Sequence, residues 1–498
     1  MRFFRSMNVD LRAGGLAVTI SLLFTGCVVG PKYQRPTVPD PPPAYKEAGD
    51  WKTAQPSDQK LGGNWWETFQ DPQLNALEQQ INVSNQNLKA AAAQFQQARA
   101  LLRYSRADYY PTVTAGLSAT RTRVSNNRPP PNSVFNGVTD NDFTMPFDLS
   151  YEADVWGRVR RTVESYREQA QASAADLATV NLSMHADLAV FYFEARSLDA
   201  EEQLLNSTVT QYEQALELTE SRFTGGIASE VEVQQARTQL ETTRAQAVDV
   251  GVLRAQYEHA VATLIGQSAS TFHLPPLPLT TPPPAIPFGV PSELLERRPD
   301  IAAAERRVAA ANAQIGVAKA AYYPQISLGA SGGFESSAIT TLLSGPSVLW
   351  SAGPSALMTV FDAGRRRAAS DQAIAAHDFE VASYRQTVLT GFQQVEDNLA
   401  AVRVLEQEAK VQEQAVVAAE RSLDLSTTRY KGGVTSYLEV ITAQSAALTD
   451  EVTAVNILGR RMVATVQLIQ ALGGGWDSSS LPQRPECCGR LVSAKGGD

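Results

Sequence analysis

The chain has few of the residues from which catalytic and metal sites are built. It holds three Cys and four His in 498 residues, too few and too scattered for a disulfide framework or a multi-histidine metal site. The sequence has no nucleotide-binding P-loop and no Cys-x-x-Cys motif. Its net charge of -9 lacks the basic excess that a nucleic-acid partner requires. We therefore expect no enzyme, no metal, no cofactor and no nucleic-acid partner.

Long apolar segments are also scarce. The run from Leu16 to Phe24 follows three arginines and is shorter than the roughly 20 residues that span a bilayer. This arrangement is typical of a secretion signal. The segment Phe24-Thr25-Gly26-Cys27 resembles the lipobox of bacterial lipoproteins, where cleavage frees the Cys for acylation. We predict a signal peptide over residues 1–26 and a covalent lipid, palmitate included, on Cys27. An incidental Cys in a signal cut elsewhere is the alternative.

Proline is absent from two long segments, Phe147 to Leu274 and Ser355 to Leu481. Both are rich in good helix formers, and proline costs about 3 kcal/mol inside a helix, so long helices are favoured. The pairs Gly225-Gly226 and Gly432-Gly433 divide the two segments and are natural helix ends. Each segment is therefore predicted to be a helical hairpin. The first arm, from Arg158 to Arg222, would be about 65 residues, or about 100 Å, long.

The chain is an internal duplication, which is the first feature to seek in a long sequence. Ala107 to Pro111 (Ala-Asp-Tyr-Tyr-Pro) recurs as Ala320 to Pro324 (Ala-Ala-Tyr-Tyr-Pro). Arg222-Phe-Thr-Gly-Gly recurs as Arg429-Tyr-Lys-Gly-Gly, with matching Ser, Glu, Val and Ala residues after each. A Pro-rich linker joins two similar halves.

Two shorter segments precede the long arm in each half. They are Pro111 to Arg123 and Asp142 to Val155, then Pro324 to Phe334 and Ser347 to Phe361. Weakly alternating runs of about ten residues, joined by polar loops, are typical of outer-membrane barrel strands. Soluble hairpins would look similar, and the secretion signal favours the membrane interpretation. Four strands cannot close a barrel, so other copies of the chain must close it. A trimer would supply twelve strands.

These features resemble the outer-membrane factor (TolC-like) family, in the lipoprotein branch that serves resistance-nodulation-division efflux pumps. The most specific match is Glu296 to Ile301 (Glu-Arg-Arg-Pro-Asp-Ile), followed by Ala304 to Arg307 and Ala313 to Gly316. Residues 30–36 and 65–74 also resemble family segments. The resemblance extends from Cys27 to about Gly475.

The resemblance implies a mainly α fold with a β-barrel contribution, built from two tandem repeats of a β-hairpin and a long helical hairpin. It implies a homotrimer with a twelve-stranded outer-membrane barrel, continued by a periplasmic α-helical barrel. A periplasmic adaptor and an inner-membrane pump would be its partners. The expected domains are a signal peptide (1–26), an N-terminal lipidated and equatorial segment (27–72), the first repeat (73–273), a Pro-rich linker (274–297), the second repeat (298–475) and a C-terminal tail (476–498).

The candidate functional residues lie at the two glycine turns. In the family the periplasmic mouth is closed by side chains just after the turn, which here match Leu438, Glu439 and Thr442, with Glu232 and Glu230 in the first half. Thr442 stands where relatives often have Asp, which argues against a multi-member ionic lock. Rings of acidic residues would favour cations, although both Glu positions also suit a helix N-terminus.

Adaptor contact is expected at the turns themselves: Arg222, Gly225, Gly226, Arg429, Gly432 and Gly433. For the two arginines, compensation of the helix dipole is an equal alternative.

The sequence thus predicts a passive, gated outer-membrane efflux duct for small molecules such as drugs and toxic compounds. An export duct for proteins and a structural stalk lipoprotein are the alternatives. No motif in the sequence identifies the transported molecules or the inner-membrane pump.

Overall fold

The computed structural model describes residues 28–38, 44–48, 63–127, 137–286 and 294–481. The described part of the chain is mainly helical with one antiparallel sheet. The helices are α1 Pro72–Ser84, α2 Gln86–Ala107, α3 Arg158–Thr224, α4 Glu230–Leu264, α5 Leu294–Arg297, α6 Pro299–Ala320, α7 Arg365–Lys431 and α8 Tyr437–Ala471. The strands are β1 Thr112–Ala115, β2 Ser118–Arg123, β3 Thr139–Ala153, β4 Gln325–Ser336 and β5 Val348–Leu357. Single 3-10 turns lie at Lys46–Ala48, Trp65–Phe69, Ile339–Thr341, Gly345–Ser347 and Ser478–Ser480.

The tandem-repeat prediction is confirmed by the helix lengths. The long arms α3 and α7 each have 67 residues, and the returning helices α4 and α8 each have 35. The first arm begins at the predicted Arg158 and ends two residues beyond the predicted Arg222. None of the described helices combines the length and the apolar character that crossing a membrane requires.

The sheet has the order β1/β2, β3, β4, β5, with every neighbouring pair antiparallel. We predicted Pro111 to Arg123 as one strand, and the structure divides it into β1 and β2. Both halves pair with β3 in one continuous register, Ala115 opposite Phe147 and Ser118 opposite Thr144. The gap lies opposite Pro146, which accepts a hydrogen bond from the Gly116 N–H (3.0 Å) but has no N–H to return. A single missing donor therefore separates β1 from β2.

The described chain divides into two compact units, and each repeat contributes to both. Of the described residues, the first unit contains 28–37, 96–127, 137–172 and 304–384, and therefore the whole sheet. Within it the segment after residue 27 lies against the start of α3 and against α6. Gly30 approaches Gly316 so closely that a Cβ on Gly30 would stand 2.5 Å from the Gly316 Cα. The Tyr33 hydroxyl donates to Glu305 of α6 at 2.8 Å.

Of the described residues, the second unit contains 38, 44–48, 63–95, 173–286, 294–303 and 385–481, and it holds the main apolar core. Trp65 and Leu74 pack with Leu188 and Tyr192 of α3 and Ile469 of α8, all 0–1% exposed. Asp71 caps α1 by accepting from the N–H groups of Gln73 and Leu74. It also accepts from the Tyr192 hydroxyl at 2.5 Å, which ties the start of α1 to the long arm. The domain boundaries expected from the sequence stay a prediction.

Candidate functional site at the helical turns

The two glycine turns have the same backbone geometry. Gly226 (φ +71°) and Gly433 (φ +72°) occupy the left-handed region, where glycine carries no steric penalty. The Ile227 N–H donates to the Arg222 carbonyl at 2.8 Å, and the Val434 N–H donates to the Arg429 carbonyl at 3.0 Å. Each turn is thus a Schellman motif that closes the end of a 67-residue helix. This backbone geometry accounts for the second glycine of each pair, Gly226 and Gly433.

The predicted acidic residues stand at equivalent places in the returning helices. Ser229 caps α4 and Ser436 precedes α8, so that Glu232 and Glu439 are each the third helical residue. A carboxylate there is favoured by the helix dipole. The Glu439 carboxylate also lies 3.7 Å from the Arg429 guanidinium, with both side chains about half exposed. The placement suits the helix-terminal interpretation, and pore exposure of the two Glu residues stays a prediction.

The two arginines have different surroundings. Arg222 lies over the Tyr430 ring, 4.6 Å from its centroid, and donates to the Lys431 carbonyl at 3.4 Å. Lys431 is the last residue of α7, so Arg222 stabilises the C-terminus of the other repeat's long arm. Arg429 instead contacts the start of α8 through Glu439. Adaptor contact by either arginine stays a prediction.

An aromatic pair that sequence reasoning did not select holds the turn region together. Tyr430 and Tyr437 lie with ring centroids 5.2 Å apart and pack with Ala236 and Val440 in a buried cluster. Burial, and then the neighbouring Tyr430, raise the pKa of Tyr437 to about 12. The equivalent positions in the first repeat are Phe223 and Glu230. This difference between the two repeats was the sequence signal that could have selected Tyr430 and Tyr437.

Leu438 and Glu230 line one shared open groove between α4 and α8, of about 510 Å³. Leu438 is 57% exposed, so its side chain is accessible in the single chain. The remaining lining residues are Val231, Gln234, Gln235, Thr238, Gln239 and Ile441. The structure therefore brings one predicted residue from each repeat to the same surface.

A neutral hydrogen bond also joins α4 and α8. Gln239 donates to the Ser445 hydroxyl at 3.2 Å, and the Thr442 hydroxyl donates to the Leu438 carbonyl of its own helix at 2.9 Å. Participation of Thr442 in closing the mouth stays a prediction.

Several buried polar atoms near the turns have no hydrogen-bond partner among the described residues. They are Arg222 Nε, Glu232 Oε2, Tyr430 OH, Thr435 Oγ1 and Gln444 Oε1. Leaving such an atom unsatisfied costs about 1–3 kcal/mol. The predicted lipidation site Cys27, and the tail residues Cys487 and Cys488, lie outside the described residues.

The chain is similar in sequence to characterised efflux proteins. It is 33% identical over 476 residues to the toluene efflux pump outer membrane protein TtgF of Pseudomonas putida, covering 93% of this chain and 97% of that one. It is also 33% identical over 469 residues to the antibiotic efflux pump outer membrane protein ArpC of Pseudomonas putida, covering 93% and 95%. Equal identity to a toluene and an antibiotic relative leaves the cargo of this chain open.

The fold agrees with these relatives. The solved structure of the outer-membrane channel OprN matches with a TM-score of 0.84 and 30% identity, over 90% of this chain and all of the other. The sequence profile of the family described as outer membrane efflux protein matches residues 77–267 and 290–474, which correspond closely to the two repeats. The profile, the relatives and the fold agree that the chain belongs to the outer membrane efflux protein family, whose members are outer-membrane ducts and not enzymes.

Proposed function

We propose that the chain is the outer-membrane component of a tripartite efflux pump. Three copies would form a passive, gated duct for small molecules, closing a twelve-stranded barrel that continues as a helical barrel in the periplasm. Energy would come from an inner-membrane pump, through a periplasmic adaptor. The observation that carries the proposal is the division of the sheet into an apolar face and a polar face.

Cross-strand partners in a sheet share a face, so the register assigns every strand residue to one side. One row across the sheet is Ala115, Phe147, Gly332 and Trp350, and the adjacent row on the other face is Thr114, Asp148, Ser331 and Ser351. We name the first side the apolar face. Its apolar residues and one glycine are Val113, Ala115, Ala119, Phe143, Met145, Phe147, Leu149, Tyr151, Ala153, Ile326, Leu328, Ala330, Gly332, Phe334, Val348, Trp350, Ala352, Pro354 and Ala356. At the loop end the same side also carries Arg121, Arg123, Thr139, Asn141 and Ser336.

The opposite side, the polar face, is formed mainly by Ser, Thr, Gly and acidic residues. The apolar face is not covered by the described chain: Val113 is 64% exposed and Trp350 is 79% exposed. An exposed apolar sheet face opposite a polar one is what a lipid-facing exterior and a water-filled interior require.

The apolar face also has the height of a membrane. Along β3 it runs from Phe143 to Ala153, which is ten residue steps or about 34 Å. Strands tilted by roughly 35–45° would reduce this to about 25 Å, the height of the apolar band in such barrels. At the helix end of the sheet, Tyr110 is 73% exposed, Phe361 is 85% exposed and Trp156 stacks on Tyr323 at 4.8 Å. Aromatic residues at that level are typical of a membrane interface.

The sheet edges support assembly of several copies. Among the described residues, the outer sides of β1/β2 and of β5 have no strand partner. Unpaired backbone groups are not tolerated in lipid, so each edge has to pair with another copy. This requirement argues against the stalk alternative, which needs no closed sheet.

The start of the described chain supports a lipid anchor on Cys27. The adjacent Val28 lies against Gly157, and the Val29 N–H donates to the Trp156 carbonyl at 3.0 Å. A lipid on the preceding residue would therefore enter the bilayer beside the aromatic residues at the helix end of the sheet. A second, covalent membrane contact would reinforce insertion at that level.

The turn region is proposed as the gate and the adaptor contact. Leu438 is exposed, and Glu230 lines the same groove between α4 and α8. In planar bilayers, Leu438→Ala with Glu439→Gln should raise the single-channel conductance. The control Lys410→Gln, an exposed residue of α7, should not. Unchanged conductance in the double variant would place the constriction elsewhere.

The membrane orientation of the sheet is tested by labelling adjacent residues of β1. In a background with Cys487 and Cys488 replaced by Ser, Val113→Cys and Thr114→Cys place a thiol on the apolar and the polar face. We expect a water-soluble maleimide to label Thr114→Cys in proteoliposomes and to label Val113→Cys far more slowly. Equal rates would contradict a lipid-facing apolar face.

A further inference from the structure

Charges of opposite sign are segregated between the two faces of the sheet. The polar face carries Asp140, Asp142, Asp148, Glu152 and Glu335. The apolar face carries two charged residues within the described strands, and both are cations: Arg121, opposite Asn141, and Arg123, opposite Thr139. The arginines and the nearest carboxylates belong to the same strand pair, yet their side chains leave the sheet in opposite directions.

The two arginines lie just beyond the end of the apolar band. The last apolar row at the loop end contains Ala119 and Phe143, and the next rows outward are Arg121 with Asn141 and Arg123 with Thr139. These four residues belong to the exposed ends of β2 and β3. Because the two guanidinium-bearing residues are two positions apart on one face, their Cα atoms are about 7 Å apart. The pair is therefore at the height where the acyl chains of a bilayer end and the headgroups begin.

We propose that Arg121 and Arg123 form an outward-facing binding site for the phosphate groups of a phosphorylated glycolipid in the outer leaflet. The inference rests on the proposed function, since it requires the apolar face to be the lipid-facing one. The complementarity is direct. A guanidinium binds a phosphate through paired charge-assisted hydrogen bonds, and acyl chains of the same lipid would lie along Phe143 and Met145 below.

The segregation of charge also explains why the site selects anions. Had Asp140 and Asp142 been on the same face, they would neutralise the arginines through cross-strand pairs. Because Asp140 and Asp142 lie on the polar face instead, the two guanidinium groups are available to bind an external anion. Basic residues at a membrane surface contribute roughly a fivefold gain in affinity each for anionic lipids, so the pair should contribute on the order of 25-fold.

The test uses native mass spectrometry of the detergent-purified full chain with bisphosphorylated lipid A as the probe. Arg121→Gln with Arg123→Gln should weaken binding by about 25-fold. The control Lys410→Gln with Arg421→Gln removes the same charge from exposed positions of α7 and should leave binding unchanged. Lipid A without phosphates should bind the native protein as weakly as the bisphosphorylated form binds the Arg121/Arg123 variant. Inorganic phosphate at the same concentration should not displace the lipid.

Equal binding of bisphosphorylated lipid A to the native protein and the Arg121/Arg123 variant would overturn the site. Full displacement of the lipid by inorganic phosphate would overturn the assignment to a lipid. If the proposed duct function is wrong, the native protein should neither insert into liposomes nor conduct. That result differs from a loss of lipid binding in the Arg121/Arg123 variant alone. Charge-preserving Arg121→Lys with Arg123→Lys should keep most of the binding, which separates loss of charge from loss of fold.

Discussion

The long arms α3 and α7 have equal length and very different surroundings. In α3, which the structure describes throughout, Phe223 is the one large apolar side chain that is exposed. On α7 the exposed large apolar side chains are Ile374, Phe379, Leu389, Val404, Val411, Val417 and Leu425. Both arms share one buried seam, since Leu188 and Tyr192 of α3 correspond to Val395 and Leu399 of α7, all four 0–3% exposed.

This difference in exposed apolar side chains indicates that the two repeats diverged on the helix sides that face away from the shared seam. The α3 arm is covered by its own chain, including the core around Trp65. An apolar surface as extensive as that of α7 is unusual for a chain that works alone. We therefore propose that the second arm carries the contact surface for other copies, so that the duplication would supply one interior arm and one interface arm.

The largest effect is expected from making the exposed side of α7 polar. Val404→Asp with Val411→Asp should convert the assembled protein into single chains, because each Val contributes about 1.5–3 kcal/mol when buried and each Asp adds a desolvation cost. Native mass spectrometry measures the change. Gln407→Asp with Gln414→Asp, polar positions of the same helix with the same spacing, is the control and should stay assembled. An intact oligomer in the Val variant would contradict the role assigned to α7.

The shared seam should respond alike in both arms. Leu188→Ala should cost about 2–5 kcal/mol of unfolding free energy through the cavity that it leaves. Val395→Ala at the equivalent position should cost somewhat less, since fewer methyl groups are removed. Melting followed by circular dichroism measures both. A loss confined to Leu188→Ala would show that the seam is not common to the two repeats.

The pH dependence of stability should also distinguish the two repeats, with a smaller effect. In α3, His185 Nδ1 lies 2.6 Å from Glu78 Oε2 of α1, beneath Trp66, whereas the equivalent residue of α7 is Phe392. Burial raises the pKa of Glu78 well above its usual range and lowers the pKa of His185 from 6.5 to about 4. Both shifts favour the uncharged forms, because burial disfavours each charged form.

The two single variants should show opposite pH slopes. In Glu78→Gln the folded His185 stays neutral down to a pKa of about 4, while the unfolded chain binds a proton below about pH 6.5. Stability should therefore fall by up to about 3 kcal/mol as the pH decreases between those values. In His185→Phe the buried Glu78 keeps a proton that the unfolded chain releases, so stability should fall as the pH rises above its unfolded pKa. If the melting temperature changed with pH in the same direction in Glu78→Gln and in His185→Phe, the assignment of uncharged side chains would be contradicted.

The elements that the sequence predicted are those with long, repeated signals. Absence of proline and the paired glycines located the end of the first arm to within two residues at Thr224, and the duplication predicted the equal lengths. The broken first strand was not predicted, because the cause lies on the neighbouring strand at Pro146. Likewise the Tyr430–Tyr437 pair and the Arg222–Tyr430 contact join residues from different helices, which no local pattern reveals. The two-faced sheet depends on register, and the weak alternation of single strands did not settle it.

The central claim is that several copies close one sheet around a water-filled path. The most direct test is the mass of the detergent-purified protein by native mass spectrometry, together with its conductance in a planar bilayer. We expect a trimer with a small, gated, cation-preferring conductance. A single chain without conductance would contradict it.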